Sequence, residues 1–450
     1  MGLQTINPHA AGIDVGSEQL YVAVVDGSVQ VFEAFTESLH ALRDHLLAAA
    51  VKTVAMEATG VYWIPVCDVL EAAGIEVCVV NGAHVKSLPG RKSDMEDCQW
   101  LAKLHSHGLL RGGFVPAPLI RRLRDYQRLR QDHVRMGSAH IQHMQKALDR
   151  MNVKIHDVLS NLTGMSGLAM VRAIIEGVRD PLLLLDLCDV QVVKRKREPR
   201  LKALRGNWQR EHVFALQQAL AGWEFYQQQI EQCDAETALV LQELAAAAPP
   251  PAPPASPGPA AAPPPPLAPA KRIHHNAPHI GDLKTLLVRI TGGHDLSALP
   301  ALTDYTVLQL LSEIGTDMSR WPTVKHFTAW LGLAPSSRRS GKRRRREKRF
   351  RGRAAQILCV GARSLARSKY LALGGFYRRL RAIRGPQVAN IATARKLAVL
   401  VYNTLVHGLD YVEQGLERYE ATYRAQCMKR LERNARDFGL TLVPLSHQNA

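Results

Sequence analysis

The sequence has few cysteines and no long apolar run, and each absence excludes a class of protein. Its 450 residues include seven cysteines, an odd number, scattered and without a Cys-x-x-Cys pair. This pattern argues against a disulfide framework or a cysteine-based zinc site and favours a reducing cytoplasm. No run of about 18 apolar residues is present, so we expect no membrane span. The first residues, MGLQTINPHA, match neither a signal peptide nor the myristoylation pattern.

Acidic residues are also scarce relative to basic ones. Lys and Arg total 58 and Asp and Glu total 40, which leaves a formal net charge of +18 and a pI of about 9.8. A balance this basic favours a polyanionic partner such as a nucleic acid and disfavours the scavenging of acidic small molecules. The length predicts about three domains.

A Pro/Ala-rich segment, residues 245–270, interrupts the chain and contains 12 of its 25 prolines. Such a segment cannot donate regular backbone hydrogen bonds and favours an extended polyproline form. Two interpretations remain open from sequence alone. The segment is either a semi-rigid tether between two functional halves or a disordered insertion without a mechanical role.

The region before residue 110 predicts a mixed α/β layer. Apolar, β-branched runs at 10–14, 20–26 and 29–34 are separated by Gly-Ser turn signals and predict an antiparallel meander. Further elements are predicted at 38–50 (a helix capped by Ser38), 53–56 (strand), 62–73 (helix), 76–80 (strand) and 94–110 (helix).

The remainder of the chain is predicted to be mainly helical. Residues 119–160 carry one basic and one apolar face, and the basic face holds Arg121, Arg122, Arg124, Arg128 and Arg130. Residues 207–244 have apolar positions spaced as in a coiled coil, although a helix packed on its own domain gives the same pattern. Further helices are predicted at 303–314, ending at Gly315, and at 324–331, 354–367 and 392–417.

Four carboxylates form a candidate metal site. Asp14 and Glu57 each end a predicted strand, and adjacent strands would place them side by side at a sheet edge. Asp94 and Asp97 are three residues apart on a predicted helix and share one face. Converging carboxylates repel one another unless cations neutralise them, and their hard oxygen ligands suit Mg²⁺ or Mn²⁺. Two such metals are a known device for phosphodiester cleavage. Taken singly, these residues are also typical of turns and solvated helix faces.

A second candidate site is the basic run 338–353, which holds 11 Lys or Arg residues and one acidic residue. Its natural partner is phosphate, although a solvated loop is the alternative for a run taken alone. Flanking guanidinium groups could activate Ser340 as a nucleophile, and Gly341 would let a phosphate approach. Chemistry alone does not choose between Ser340 and the nearby Ser336 and Ser337. The predicted nucleic-acid-binding residues are Arg338, Arg339, Lys342, Arg343, Arg344, Arg345, Arg346, Lys348 and Arg349.

With these residues placed, the chain resembles the DEDD insertion-sequence transposases, the family of bridge-RNA-guided serine recombinases. The matching segments are GIDVGS, MEATG, NGAHVK and RKSDMED, followed by LLSEIG, WLGLAP, SRRSGK and NIATARKLA in the C-terminal half. They follow the family's order over roughly 1–110 and 275–410. Three departures are a single Gly after Ser340, Cys98 after Asp97, and the Pro/Ala-rich segment.

The resemblance implies an RNase H-like (RuvC-like) α/β N-terminal domain, a helical coiled-coil region and a mainly α C-terminal transposase domain. We expect these at 1–160, 161–244 and 271–450, with the linker at 245–270. It also implies catalysis by Asp14, Glu57, Asp94, Asp97 and Ser340, a covalent phosphoserine intermediate and divalent metal. The implied partners are donor and target DNA, a structured noncoding RNA and further copies of the chain in a dimer or tetramer. We expect a cytoplasmic, nucleoid-associated protein without membrane contact.

Three other classes of protein share part of this pattern. A metal-dependent DNA junction nuclease would use the same carboxylates with water as nucleophile, but it would not explain a serine in a basic segment. An actin-like sugar kinase or ATPase shares the GIDVGS segment, but the sequence lacks a second Gly-rich phosphate loop. A non-enzymatic nucleic-acid-binding module would explain the charge but not the carboxylates.

Overall fold

The computed structural model describes residues 4–80, 94–188, 197–249, 276–335, 339–340, 343–344, 351–408 and 415–442. The chain forms two compact units, Met1–Val115 and Pro116–Ala450, and each is described by itself. From Pro250 onward the predicted Pro/Ala-rich linker lies outside the described residues. No helix in the described ranges is long and apolar enough to cross a membrane.

The first unit is built on a five-stranded mixed sheet. Its strands are β1 (Ala10–Val15), β2 (Gln19–Val24), β3 (Val29–Glu33), β4 (Thr53–Glu57) and β5 (Glu76–Val80), in the spatial order β3-β2-β1-β4-β5. β2 is antiparallel to β1 and β3, whereas β4 is parallel to β1 and to β5. The antiparallel meander is therefore confirmed. This mixed sheet, followed by helices, fits the predicted RNase H-like N-terminal domain.

In the described part of this unit, three helices cover the two faces of the sheet: α1 (Thr36–Ala48), α2 (Trp63–Ala72) and α3 (Asp94–Ser106). Strand side chains alternate between the faces because the period of a strand is two. Ile13 of β1 and Met56 of β4 face the core formed with α1 and α2. Ala23 of β2 packs instead with Cys98 of α3. The even positions of β1 and the odd positions of β4 therefore face α3.

The prediction that Ser38 caps α1 is wrong. The helix begins two residues earlier, at Thr36, and its N-cap residue is Phe35, which makes no side-chain capping hydrogen bond. Phe35 has the extended backbone conformation of an N-cap residue, with φ −91° and ψ 152°. Ser38 therefore lies inside the first turn.

The second unit contains a long antiparallel pair of helices, α4 (Pro118–Arg150) and α8 (Arg210–Ala247). Between them along the chain lie α5 (Met165–Ile175), α6 (Pro181–Asp186) and α7 (Arg197–Ala203). Gln127 near the start of α4 bonds Thr237 near the end of α8, and Leu148 shares a core cluster with Leu216. The coiled-coil-like spacing of 207–244 thus reflects a helix packed within its own unit, the second of the two interpretations.

The C-terminal part of this unit is mainly helical, in agreement with the expected fold class. Its helices are α9 (Leu283–Ile290), α10 (Asp304–Ile314), α11 (Val324–Trp330), α12 (Arg353–Ser364), α13 (Ala372–Arg384), α14 (Pro386–His407) and α15 (Leu416–Asp437). Thr303 and Thr306 form a capping box at the start of α10, and Gly315 ends it with φ 70°. Between α11 and α12 lie the two-residue strands β6 (Arg339–Ser340) and β7 (Arg343–Arg344).

A buried ion pair links residues on both sides of the Pro/Ala-rich segment. Arg130 of α4 is 1% exposed, and its Nε donates to Asp234 Oδ1 of α8 over 2.5 Å. Arg130 Nη1 also donates to the Asn276 carbonyl at 3.0 Å and to Tyr305 Oη at 3.1 Å. The backbone N–H of His279 donates to Asp234 Oδ2. Residues on the two sides of the segment therefore pack together within the second unit.

Candidate active site

Two of the predicted carboxylates occupy matching positions on neighbouring parallel strands. Asp14 is the fifth residue of β1 and Glu57 the last residue of β4. The register pairs Ile13 with Met56, so the next residues along the two strands are Asp14 and Glu57. Both belong to the positions that face α3. The strand pairing therefore places the two carboxylates side by side near the carboxyl edge of the sheet.

Helix α3 runs antiparallel to β1 and β4 across this face. At its C-terminal end, His105 lies beside the starts of both strands, since its carbonyl accepts from Asn7 Nδ2 and its Nε2 is 2.8 Å from Thr53 Oγ1. Further along β1, a Cβ on Gly12 would lie 2.2 Å from the Cys98 carbonyl oxygen. The N-terminal end of α3 therefore lies at the carboxyl edge of the sheet, where Asp14 and Glu57 lie.

This orientation brings the third predicted carboxylate, Asp97, to the same edge. Cys98, which follows it, is fully buried. Burial raises the pKa of the Cys98 thiol to about 11, and the negative charges of Asp14 and Asp97 contribute to the rise. The charges of Asp14 and Asp97 therefore both act on the same buried thiol of α3. Asp94 is the first residue of α3, and its side chain is not described.

The chemistry of this donor set fits a divalent metal ion. Carboxylate oxygens are the ligands that Mg²⁺ and Mn²⁺ prefer, and the charges of Asp14 and Asp97 both act on the neighbouring Cys98 thiol. Among the described side chains, no three His, Cys, Asp or Glu residues lie close enough together to hold a metal. A metal would bind at the edge of the sheet where the described donors Asp14, Glu57 and Asp97 lie. These three residues do not form a closed set of metal ligands.

The predicted nucleophile lies in the second unit, on a short antiparallel strand pair. Ser340 of β6 is paired with Arg343 of β7, and Arg339 is paired with Arg344. The pairing places the Ser340 backbone beside two arginine positions of the basic run. The rest of that run up to Phe350 lies outside the described residues, including Arg338, Lys342, Arg345, Arg346, Lys348 and Arg349, and so do Ser336 and Ser337.

Several arginines of the predicted basic face of α4 make internal contacts. Arg124 donates to the carbonyls of Ser312 and Glu313 at the end of α10, and Arg128 makes two hydrogen bonds to the Glu313 carboxylate. Burial lowers the pKa of Arg124 to about 10, against the opposing effect of the Glu313 charge. With the buried Arg130, these arginines stabilise the packing of α4 against α10 and α8.

The small residues that let α3 approach the sheet were not predicted from the sequence. Gly12 contacts the backbone at Cys98 and Ala102, and any side chain at Gly12 would collide with it. The available signal was the run of small residues Ala10-Ala11-Gly12, which ends two residues before Asp14. Such a run is typical of a close backbone approach as well as of a turn.

Comparison with protein families agrees with this geometry. Residues 11–153 match a family model described as a transposase, of the DEDD IS110 type. Residues 293–378 match the transposase model of the IS116/IS110/IS902 family. The chain belongs to the IS110 family of DEDD transposases. No curated protein matches it.

This membership makes the chain an enzyme that acts on DNA as a transposase. The first match contains Asp14, Glu57, Asp94 and Asp97, and the second contains Ser340. The nuclease-like domains of DEDD transposases generally use divalent metals, in agreement with the carboxylate donors at the sheet edge. The basic charge of the chain is complementary to the DNA backbone.

Proposed function

We propose that this transposase cuts and rejoins the DNA strands of an insertion sequence through a covalent phosphoserine intermediate on Ser340. The observation that carries the proposal is the pairing of Ser340 with Arg343, inside a segment that matches a transposase family. A nuclease that activates water would need the carboxylates of the first unit but no serine among arginines. The rival junction nuclease therefore leaves this segment without a role.

In the proposed reaction, the Ser340 hydroxyl oxygen forms a bond to a DNA phosphorus. The bond from that phosphorus to the leaving deoxyribose oxygen breaks, and the serine proton goes to that leaving oxygen. Attack by a deoxyribose hydroxyl on the phosphoserine then rejoins the strand and restores the serine. Each step exchanges one phosphoester bond for another, so the rejoining needs no nucleotide hydrolysis.

The residues around each centre have separate roles in this proposal. The guanidinium groups of Arg339, Arg343 and Arg344 would stabilise the charge that develops on the phosphorane. A metal ion, Mg²⁺ or Mn²⁺, held by Asp14, Glu57, Asp94 and Asp97 would supply Lewis-acid stabilisation of phosphate oxygens. Since a serine hydroxyl is a weak nucleophile at neutral pH, we propose that the reaction of Ser340 depends on the metal that the four carboxylates would hold.

Three further parts of the proposal concern partners and location. A structured noncoding RNA would select donor and target DNA by base pairing, and the net charge of +18 supports binding of both nucleic acids. Recombination at two ends needs several active sites, so the chain would act as a dimer or tetramer. It would work in the cytoplasm, associated with the bacterial nucleoid.

The decisive test looks for protein-linked DNA. The full-length chain is incubated with Mg²⁺, labelled donor and target DNA and RNA transcribed from the sequence flanking its gene, and the products are run on a denaturing gel. We expect labelled DNA attached to protein, absent with Ser340→Ala but present with Ser336→Ala and Ser337→Ala. Peptide mapping should place the adduct on Ser340. An adduct on Ser336 or Ser337 would move the nucleophile, and free DNA ends without any adduct would support the water-using nuclease.

A further inference from the structure

A second cationic site lies among α13, α14 and α15, away from Ser340 in sequence. The guanidinium carbon of Arg379 lies 3.7 Å from the centroid of the Tyr423 ring and 5.1 Å from that of Tyr419. The Lys396 Nζ lies 4.7 Å from the centroid of the Phe376 ring. The same Phe376 ring is 5.7 Å from the Arg379 guanidinium carbon. Both cations therefore contact the Phe376 ring, and the charge of Arg379 acts on Lys396.

Neither cation has a carboxylate partner among the described residues. In the part of the chain that the structure describes, no carboxylate lies within ion-pair distance of Arg379 or Lys396, and the buried Arg379 Nη1 has no hydrogen-bond acceptor. Arg378, the residue before Arg379, does have hydrogen-bond acceptors, because it donates to the carbonyls of Ala366 and Ser368. Partial burial and the positive charge of Arg379 lower the pKa of Lys396. The two cations therefore repel each other.

Stacking on rings fixes a cation without cancelling its charge. A carboxylate partner would also order the side chain, but it would neutralise the charge and occupy the N–H donors. Hydrogen bonds to carboxylates or carbonyls order three arginines of α4, namely Arg124, Arg128 and Arg130. The N–H groups in these bonds are therefore used inside the fold. In the described part of the chain neither Arg379 nor Lys396 has a carboxylate partner, and an anion that contacts both would relieve their repulsion.

We propose that Arg379 and Lys396 bind a backbone phosphate of a nucleic-acid strand, at a site separate from the basic run around Ser340. The planar guanidinium suits the geometry of a phosphate, and the ammonium adds a second charge. Nucleic acid is the appropriate source because the enzyme acts on DNA and carries a net charge of +18. Both residues lie after position 378, where the second family match ends. The inference does not depend on a phosphoserine intermediate.

The test measures binding as a function of salt. Fluorescence anisotropy with the full-length chain uses two probes of equal phosphate number, a DNA duplex and an RNA hairpin. For Arg379→Gln combined with Lys396→Gln, we expect about 10-fold weaker binding of at least one probe. The slope of log Kd against log salt for that probe should fall by about 1, as for the loss of one phosphate contact. Weaker binding of the DNA probe alone, of the RNA probe alone or of both identifies which nucleic acid supplies the phosphate.

A matched control removes the same two charges elsewhere. Arg418 and Arg424 are exposed on α15, and Arg418→Gln with Arg424→Gln should change binding less than about twofold. Tyr423→Phe keeps the ring and should bind as the unchanged chain does, whereas Tyr423→Ala should weaken binding. Lys396→Gln alone, at a residue that is exposed overall although its ammonium packs on Phe376, should weaken binding partly, and urea unfolding checks that its stability is unchanged. Equal losses for both double variants, or no loss with either probe, would overturn the proposal.

Discussion

Gly12 and Cys98 touch through their backbones at the point where β1 passes under α3. A Cβ at Gly12 would lie 2.2 Å from the Cys98 carbonyl oxygen and 2.4 Å from the Ala102 nitrogen. Real Cβ atoms do not approach backbone atoms this closely, so only glycine permits the packing. Because Asp14 follows Gly12 by two residues and Asp97 precedes Cys98, this contact sets the spacing between the carboxylates of the two elements.

Gly12→Ala should therefore impair both stability and DNA cleavage. The added methyl group has to displace α3 from the sheet, and overpacking of this kind costs about 1–3 kcal/mol. Urea unfolding measures the stability and a strand-cleavage assay the activity. Gly281→Ala is the matched control, because nothing lies within 4 Å of a Cβ at that position. A Gly12→Ala enzyme with unchanged cleavage would show that the close approach of α3 is not needed.

Asp14→Asn should abolish strand cleavage while DNA binding changes less than about twofold. The substitution keeps the size of the side chain but removes a charge that a divalent metal requires. In the unchanged enzyme, Mg²⁺ or Mn²⁺ should support cleavage, whereas Ca²⁺ should support binding only. Glu18→Gln removes a charge from an exposed position just before β2 and should cleave normally. Full cleavage by Asp14→Asn in the presence of a chelator would contradict the metal site.

Arg130→Met should destabilise the second unit by about 3–5 kcal/mol, because it leaves the Asp234 carboxylate buried without its partner. Asp234 is 3% exposed. Adding Asp234→Leu should recover part of this loss, because the uncompensated charge is then removed. Arg135→Ala breaks a pair with Asp132 in which the arginine side chain is 76% exposed, and should cost less than about 1 kcal/mol. If Arg130→Met and Arg135→Ala lowered the free energy of unfolding in urea equally, the buried ion pair would not have the importance expected here.

Cutting the chain within the Pro/Ala-rich segment should leave the two fragments associated. Arg130 and Asp234 contact Asn276, His279 and Tyr305 after the segment, and Arg289 donates to the carbonyl of Ala245, the first residue of the segment. A protease recognition sequence inserted after Pro257 allows a single cut, and size-exclusion chromatography then measures association. The fragments should elute together under native conditions and separate in denaturant. Arg130→Met should weaken their association, and separation of the unchanged fragments would contradict the arrangement.

Local patterns in the sequence were sufficient for most elements and for the fold class. Strand alternation and glycine turns predict β1 to β5 because those signals involve neighbouring residues only. The same holds for α10, where Thr303 and Gly315 mark the ends. The order of Asp14, Glu57, Asp94 and Asp97 along the chain, with their surrounding motifs, indicated the transposase family, which the family matches confirm.

Contacts between distant residues were decided only by the tertiary structure. A row of arginines looks the same in sequence whether it binds DNA or an internal carboxylate, and only folding brings Glu313 to Arg128 and Asp234 to Arg130. Likewise, apolar spacing at 207–244 predicts a packed helix but not its partner, α4. The direction of α3 across β1 depends on Gly12 meeting Cys98, two residues 86 positions apart. Such contacts depend on steric fit and on the burial of charge, which local sequence patterns do not record.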